Sequence, residues 1–255
     1  ESATPIFRIA PYIVFGCMAL ACGIVPTLST DLPLSPAADA IALVGIFAVA
    51  RFFIALAAMD IGTAFGSLGA RREMLIGFLA EPALLMVLFT ASLITRSTSL
   101  TNIVENLASR EFVIYPSLLI SGLAFLMVSL AENARVPVDN PATHLELTMI
   151  HEALILEYSG RHLALIEWAV ALKLFAYTCI GAALFVPWGL AKASAPEAMI
   201  LAIPMLVVKL AAAGFFLAVI ETVNAKMRIF RVPEFLGTAF LLAVIALLVH
   251  VLLGA

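Results

Sequence analysis

Charge is scarce in this sequence. Asp, Glu, Lys and Arg make up 12% of the 255 residues, about half the share of an ordinary soluble domain. With 64% apolar residues and a mean hydropathy of +1.13, the chain cannot have water as its main solvent. Cysteine is scarce as well. Cys17, Cys22 and Cys179 are the only three, and each falls in an apolar run, where cysteine behaves as a small hydrophobe. Three cysteines at these spacings cannot ligate an iron–sulfur cluster, which takes four. Any metal centre this chain works with therefore belongs on another subunit. The basic residues form no stripe and the net charge is −3, which argues against nucleic acid as a partner. There is no glycine-rich phosphate loop after a strand and no nucleophile elbow, so an isolated kinase or hydrolase site is not visible. No internal repeat is detectable, which weakens the reading as a stand-alone inverted-repeat transporter.

What is present is long and apolar. A helix needs roughly 20 apolar residues to cross about 30 Å of hydrocarbon. Seven runs qualify, at about 11–28, 38–60, 74–95, 114–133, 164–187, 199–222 and 234–253. Charge or Pro/Gly punctuation bounds each run. They are continuous in Leu, Ala, Ile and Phe, whereas strands of a membrane barrel alternate. Residues 1–255 therefore read as one domain of all-α class, a polytopic bundle in the lipid bilayer of the cell's inner (cytoplasmic) membrane. With alternating spans, Arg8, Arg71, Arg72, Arg135, Arg161, Lys226, Arg228 and Arg231 fall on one side, and Arg96, Arg110 and Lys192 on the other. The excess of basic residues marks the first side as cytoplasmic.

One cytoplasmic segment differs from the rest. Residues 134–163 carry Asp139, Glu146, Glu152, Glu157, Arg135, Arg161 and three histidines, too many ionisable groups to cross a bilayer. Thr143 and Glu146 have capping-box spacing, which predicts a short helix over about 143–157 within a structured loop. His144, His151 and Glu152 invite a metal reading. The His-Glu stretch at 151–152 lacks the second histidine four residues on that a zinc-protease helix carries. His144 and His151 would stand two helical turns apart, about 10 Å by rise. A polar docking or proton-feeding loop fits better.

Ionisable groups inside spans are expensive and are functional candidates by default. The deep ones are Arg51, Glu81, Lys173 and Lys209; Asp60, Glu132, Glu167 and Glu221 lie nearer the cytoplasmic ends. Burial disfavours the charged form of acid and amine alike, moving both toward titration near neutral pH, as a proton relay requires. The alternatives are mutual neutralisation and snorkelling to the interface. Pro82, directly after Glu81, frees a carbonyl one turn back.

The segment Glu132-Asn-Ala-Arg135-Val-Pro137-Val-Asp139-Asn-Pro141, followed by Glu146-Leu147 and Glu157-Tyr158-Ser159-Gly160, resembles the cytoplasmic loop of the complex I H subunit (ND1) family. Three extra residues before Glu157, and His144 where complex I carries another acid, make it more similar to the hydrogenase branch of that family. Formate hydrogenlyase subunit 4 and hydrogenase-4 component C belong to that branch. Gly69-Ala70-Arg71-Arg72 leading to Ala80-Glu81-Pro82 is similar to the family's Arg-then-Glu pair. Glu221 with Ala225 to Glu234 resembles its last cytoplasmic loop.

The resemblance implies a membrane-arm subunit of a complex-I-like, energy-converting [NiFe] hydrogenase-type complex. Such a subunit has no cofactor of its own and is not itself catalytic. It anchors a peripheral redox arm and couples electron transfer to proton translocation. The implied partners are hydrogenase-like large and small subunits bearing the [NiFe] centre, iron–sulfur proteins and antiporter-like membrane subunits. The equivalent subunit of a quinone-linked complex, with quinone as a ligand, is the alternative. The resemblance also implies an eighth membrane helix at the start, so the numbering is expected to begin inside a longer protein. Arg135, Asp139, Glu146 and Glu157 would face the redox arm, with Glu152 in the same loop. Arg72, Glu81 and Glu132 would continue inward. Arg51, Asp60, Lys173, Lys209 and Glu221 join this pathway on their location in apolar runs alone.

Overall fold

The computed structural model describes residues 4–30, 34–109, 115–139, 150–190, 196–225, 227 and 229–253. The described residues form helices α1 (Pro5–Ile24), α2 (Ala40–Asp60), α3 (Ala64–Thr95), α4 (Leu100–Ser109), α5 (Pro116–Glu132), α6 (His151–Ile155), α7 (Gly160–Phe185), α8 (Pro196–Val223) and α9 (Val232–Leu253). Six of them, all but α4, α5 and α6, are long and apolar enough to cross a membrane. The chain is an all-α, multi-pass membrane protein.

Helix starts follow from local chemistry. Thr4 caps α1 by accepting from the Phe7 N–H, with Pro5 in the first turn. Asp39 caps α2 through the Ile41 and Ala42 N–H groups, and Thr63 caps α3 through that of Gly66. These side chains satisfy N–H groups that have no partner inside the helix. Several spans begin earlier than their apolar runs do: α1 at Pro5, α3 at Ala64 and α7 at Gly160. Hydropathy marks only the stretch inside lipid, whereas the helix continues into polar turns. At 32 residues, α3 is about 48 Å long and must project beyond the hydrocarbon.

Two expectations change. The apolar runs at 74–95 and 114–133 leave residues 96–113 without an element, yet α4 occupies Leu100–Ser109. Its buried Leu100, Ile103, Val104 and Leu107 have the spacing of an amphipathic helix; it is too short for the membrane-span criterion to notice. The helix expected over 143–157 is described only as the five-residue α6, His151–Ile155. The Thr143–Glu146 capping box lies outside the described residues.

Helix α3 is the axis of the bundle, packing against α2, α5, α6 and α9, while α1 packs on α2 and α7. Helix α8 leans on α7 and leaves Leu201 74% and Phe215 73% exposed. At one end of the bundle, hereafter the loop end, residues 133–139 and α6 cover the helix termini. Gly69 lets α6 settle onto α3: a β-carbon there would stand 2.8 Å from the Ala153 Cβ and 3.2 Å from the Ile150 carbonyl oxygen. Tyr158 closes the same end, stacked on Phe7 at 4.0 Å between ring centres and donating to the Phe7 carbonyl at 3.0 Å. At the opposite end the α1–α2 and α3–α4 connections pair through Ala40 N–H to Thr98 O and Leu100 N–H to Ala38 O.

Candidate functional site

The site begins as a stripe on α3. Glu73, Gly77 and Glu81 recur every fourth residue and so share one helix face. Helix α2 runs back along that face and presents Arg51. A β-carbon on Gly77 would stand 2.6 Å from Arg51 Cδ, so the glycine is the slot into which the guanidinium fits. The carboxylates on either side hold it, Glu73 Oε1 accepting from Nε at 3.2 Å and Glu81 Oε1 from Nη1 at 2.7 Å. Nη2 donates to Glu132 Oε2. The planar guanidinium fork suits this task, because its donors point in fixed and different directions.

Glu132 closes the group from α5. It is the last residue of that helix, whose C-terminal carbonyls also favour nearby cations. Lys173 of α7 reaches the same Oε2 atom at 2.9 Å. One carboxylate oxygen thus serves both cations, and Oε1 has no hydrogen-bond partner although it is buried. The Tyr177 hydroxyl lies beside this carboxylate, one turn along α7 from Lys173. Tyr177 stacks on Phe47 at 5.0 Å and approaches Phe125 at 6.2 Å. These rings form an apolar floor on the side away from the loop.

The charges do not balance. Glu73, Glu81 and Glu132 face Arg51 and Lys173, so the group carries one negative charge in excess when all five are ionised. Arg51 is 5% exposed and Glu132 6%. An excess charge so poorly hydrated strongly favours uptake of one positive charge.

The other residues singled out in the sequence are distributed around this group. Arg135 donates to Glu221 at 3.4 Å, each side chain about a third exposed. This pair sits at the loop end, apart from Arg51. Buried Asp139 accepts the His151 backbone N–H at 3.4 Å and so ties the segment after α5 to α6. Glu152 is half-buried on α6; Glu157 is exposed, as is Glu167 on α7. Arg72 is half-buried on α3. Asp60 is exposed at the end of α2, where the Thr4 hydroxyl donates to it. Glu146 and His144 lie outside the described residues.

Lys209 is not brought to the carboxylates. Its ammonium donates to the Val186 carbonyl at 2.6 Å, satisfying an acceptor at the C-terminal end of α7. Lys209→Met is accordingly expected to leave proton translocation by the assembled protein unchanged. Acidification assays on vesicles would check this, and a loss comparable to that of Glu132→Gln would bring Lys209 back into the pathway.

Glu73 and Tyr177 were not singled out in the sequence. Glu73 falls one residue before the apolar run at 74–95 and so reads as an interfacial charge. Its signal was the four-residue spacing E-x-x-x-G-x-x-x-E over 73–81. Tyr177 had the same spacing from Lys173.

A profile of the NADH dehydrogenase family matches residues 1–252. The chain belongs to that family. Among its relatives, formate hydrogenlyase subunit 4 of Escherichia coli is 29% identical over 241 residues, covering 94% of this chain and 78% of that one. Hydrogenase-4 component C of Escherichia coli is 30% identical over 243 residues, covering 94% and 75%. The fold is shared with a chain in the structure of the membrane-bound sulfane sulfur reductase, an archaeal respiratory membrane complex. There the TM-score is 0.81 at 19% identity, covering 97% of this chain and 80% of that chain. The Arg51 group sits in a fold that is also found in a chain of that respiratory membrane complex.

Proposed function

We propose that this chain is the membrane-arm subunit of a complex-I-like, [NiFe] hydrogenase-type complex of the inner membrane. In this reading its loop end faces the cytoplasm and holds the peripheral redox arm. The carboxylates around Arg51 pass protons on behalf of that arm. The supporting observation is the uneven charge of the buried group: three carboxylates share two cations. One more proton neutralises it, and losing that proton restores its pull. Glu132 is the hinge of this cycle, because among the described carboxylates it alone touches both Arg51 and Lys173. A nearby cation favours the ionised carboxylate. Movement of α7 that separates Lys173 from Glu132 draws a proton onto the acid; return of Lys173 expels it.

The kinship with two hydrogenase-system proteins favours hydrogenase-type partners over quinone-linked ones. The [NiFe] centre and iron–sulfur clusters would then lie on the partner subunits, with antiporter-like subunits as neighbours in the membrane. Purification through a tag on this chain from gently solubilised membranes tests the assignment. Copurifying nickel, iron and a large subunit with paired cysteine motifs are expected. A stable complex lacking nickel and containing bound quinone would contradict the hydrogenase reading.

A further inference from the structure

A cavity of about 50 Å³ lies between the carboxylate group and α6, bordered by Arg51, Glu73, Glu132, Asn133, His151 and Lys173. Three of these residues carry buried polar atoms without hydrogen-bond partners: Glu132 Oε1, Asn133 Oδ1 and His151 Nε2. Glu132 and Asn133 are each more than nine-tenths buried. Unpartnered polar atoms are rare in folded proteins and costly when dry. Three bordering one small space mean that the space is built for a polar occupant. At about 10–15 Å³ for each water centre, this volume accommodates a few water molecules.

We propose that this chamber holds a short chain of ordered water, and that His151 is the residue that delivers protons into it from the loop. The proposal deepens the relay reading above and rests on it. His151 belongs to α6 and is anchored by its backbone to Asp139, so it stands between the loop and the membrane interior. Charged groups face it from the elements around the chamber, Glu73 from α3, Lys173 from α7, Asp139 from the segment after α5 and Glu152 beside it on α6, while α1 borders the space with apolar Val14 and Met18. Arg51 of α2 and Glu132 of α5 border the same space.

In the transfer step, imidazolium releases the proton on Nε2 to a chamber water, and that water passes one of its own protons to Glu132 Oε1. The products are neutral imidazole and a neutral carboxylic acid; His151 is then reloaded from the loop side. Burial holds the imidazole below its ordinary pKa, with Glu73 opposing that shift. The ring is therefore neutral at pH 7, and a proton on it is short-lived. Asn133 Oδ1 can accept from the water chain but cannot carry a proton, which makes it a positioning residue.

The test uses the assembled complex in proteoliposomes, driven by reduced methyl viologen, with proton uptake followed by a pH-sensitive dye. His151→Gln is expected to slow uptake roughly 10²-fold, the typical contribution of a placed acid–base group. Added imidazole is expected to restore uptake to His151→Ala but not to Glu132→Gln. Normal uptake in His151→Gln beside a loss in Glu132→Gln overturns this proposal and leaves the carboxylate relay intact. Normal uptake in both variants overturns the relay and the proposal together. Nitrogen NMR of the wild-type complex gives an answer even where His151→Gln does not assemble, since the chain has only four histidines. A His151 ring that titrates below an ordinary imidazole, and lower still in Glu73→Gln, supports delivery; a ring that titrates as an ordinary imidazole, or that Glu73→Gln leaves unmoved, overturns it.

Discussion

Arg51→Met is expected to leave little of this protein assembled in the membrane. The side chain removed is the one to which three carboxylates converge from two different helices, and methionine fills much of its volume without its charge. The group's net charge changes from −1 to −2, with Lys173 left as the only cation. Removing one partner of a buried ion pair typically costs about 3–5 kcal/mol, because the other charge stays buried and unpaired. A whole domain is stable by only about 5–15 kcal/mol. Arg51→Lys keeps the charge but loses the fork, and should recover part of the loss. Arg51→Met with Glu73→Gln returns the net charge to −1 and should also recover part, as coupled neighbours are non-additive. Immunoblots of membrane fractions and thermal midpoints in detergent would read these effects. Wild-type levels of Arg51→Met would mean that the guanidinium does not organise the three acids.

Glu132→Gln should have the opposite signature, with assembly preserved and function lost. Glutamine keeps the shape, and its amide oxygen can still accept from Arg51 or Lys173. The net charge of the group becomes zero, and the side chain bordering the chamber can no longer take a proton. Proton translocation by the assembled complex should fall roughly 10²-fold. Vesicle acidification set against the amount of assembled complex measures this. Glu81, about a quarter exposed where Glu132 is nearly sealed, is the milder position for the same change.

The helices were legible in the sequence because lipid leaves a chain few options. Backbone groups in hydrocarbon must be satisfied within the segment, so long apolar runs become helices whatever their neighbours. Glu81, Glu132, Arg51 and Lys173 stood out for the same reason, as charges with no water nearby. Their convergence was not legible, since it depends on α5 ending at Glu132 while α2 runs nine residues past Arg51 to Asp60. That shortfall opens the space occupied by residues 133–139, α6 and the chamber. Lys209 satisfied the same sequence criterion and yet serves a helix end, because burial in a run does not say which way a side chain reaches. Glu73 was hidden by the reverse error: a residue at the edge of an apolar run can still be largely hidden, its side chain 13% exposed, when α6 packs on α3. Hydropathy cannot report that cover, although the glycine between Glu73 and Glu81 hinted at something wide lying against α3.

The central claim is that the Arg51 group changes its protonation when the redox arm turns over. Redox-induced infrared difference spectra of the assembled complex address it most directly, because a protonated carboxyl group has a C=O band that a carboxylate lacks. The account predicts such a band in the wild-type complex, shifted in deuterated water and missing in Glu132→Gln. A band that persists unchanged in Glu132→Gln, or a wild-type spectrum without one, would contradict it.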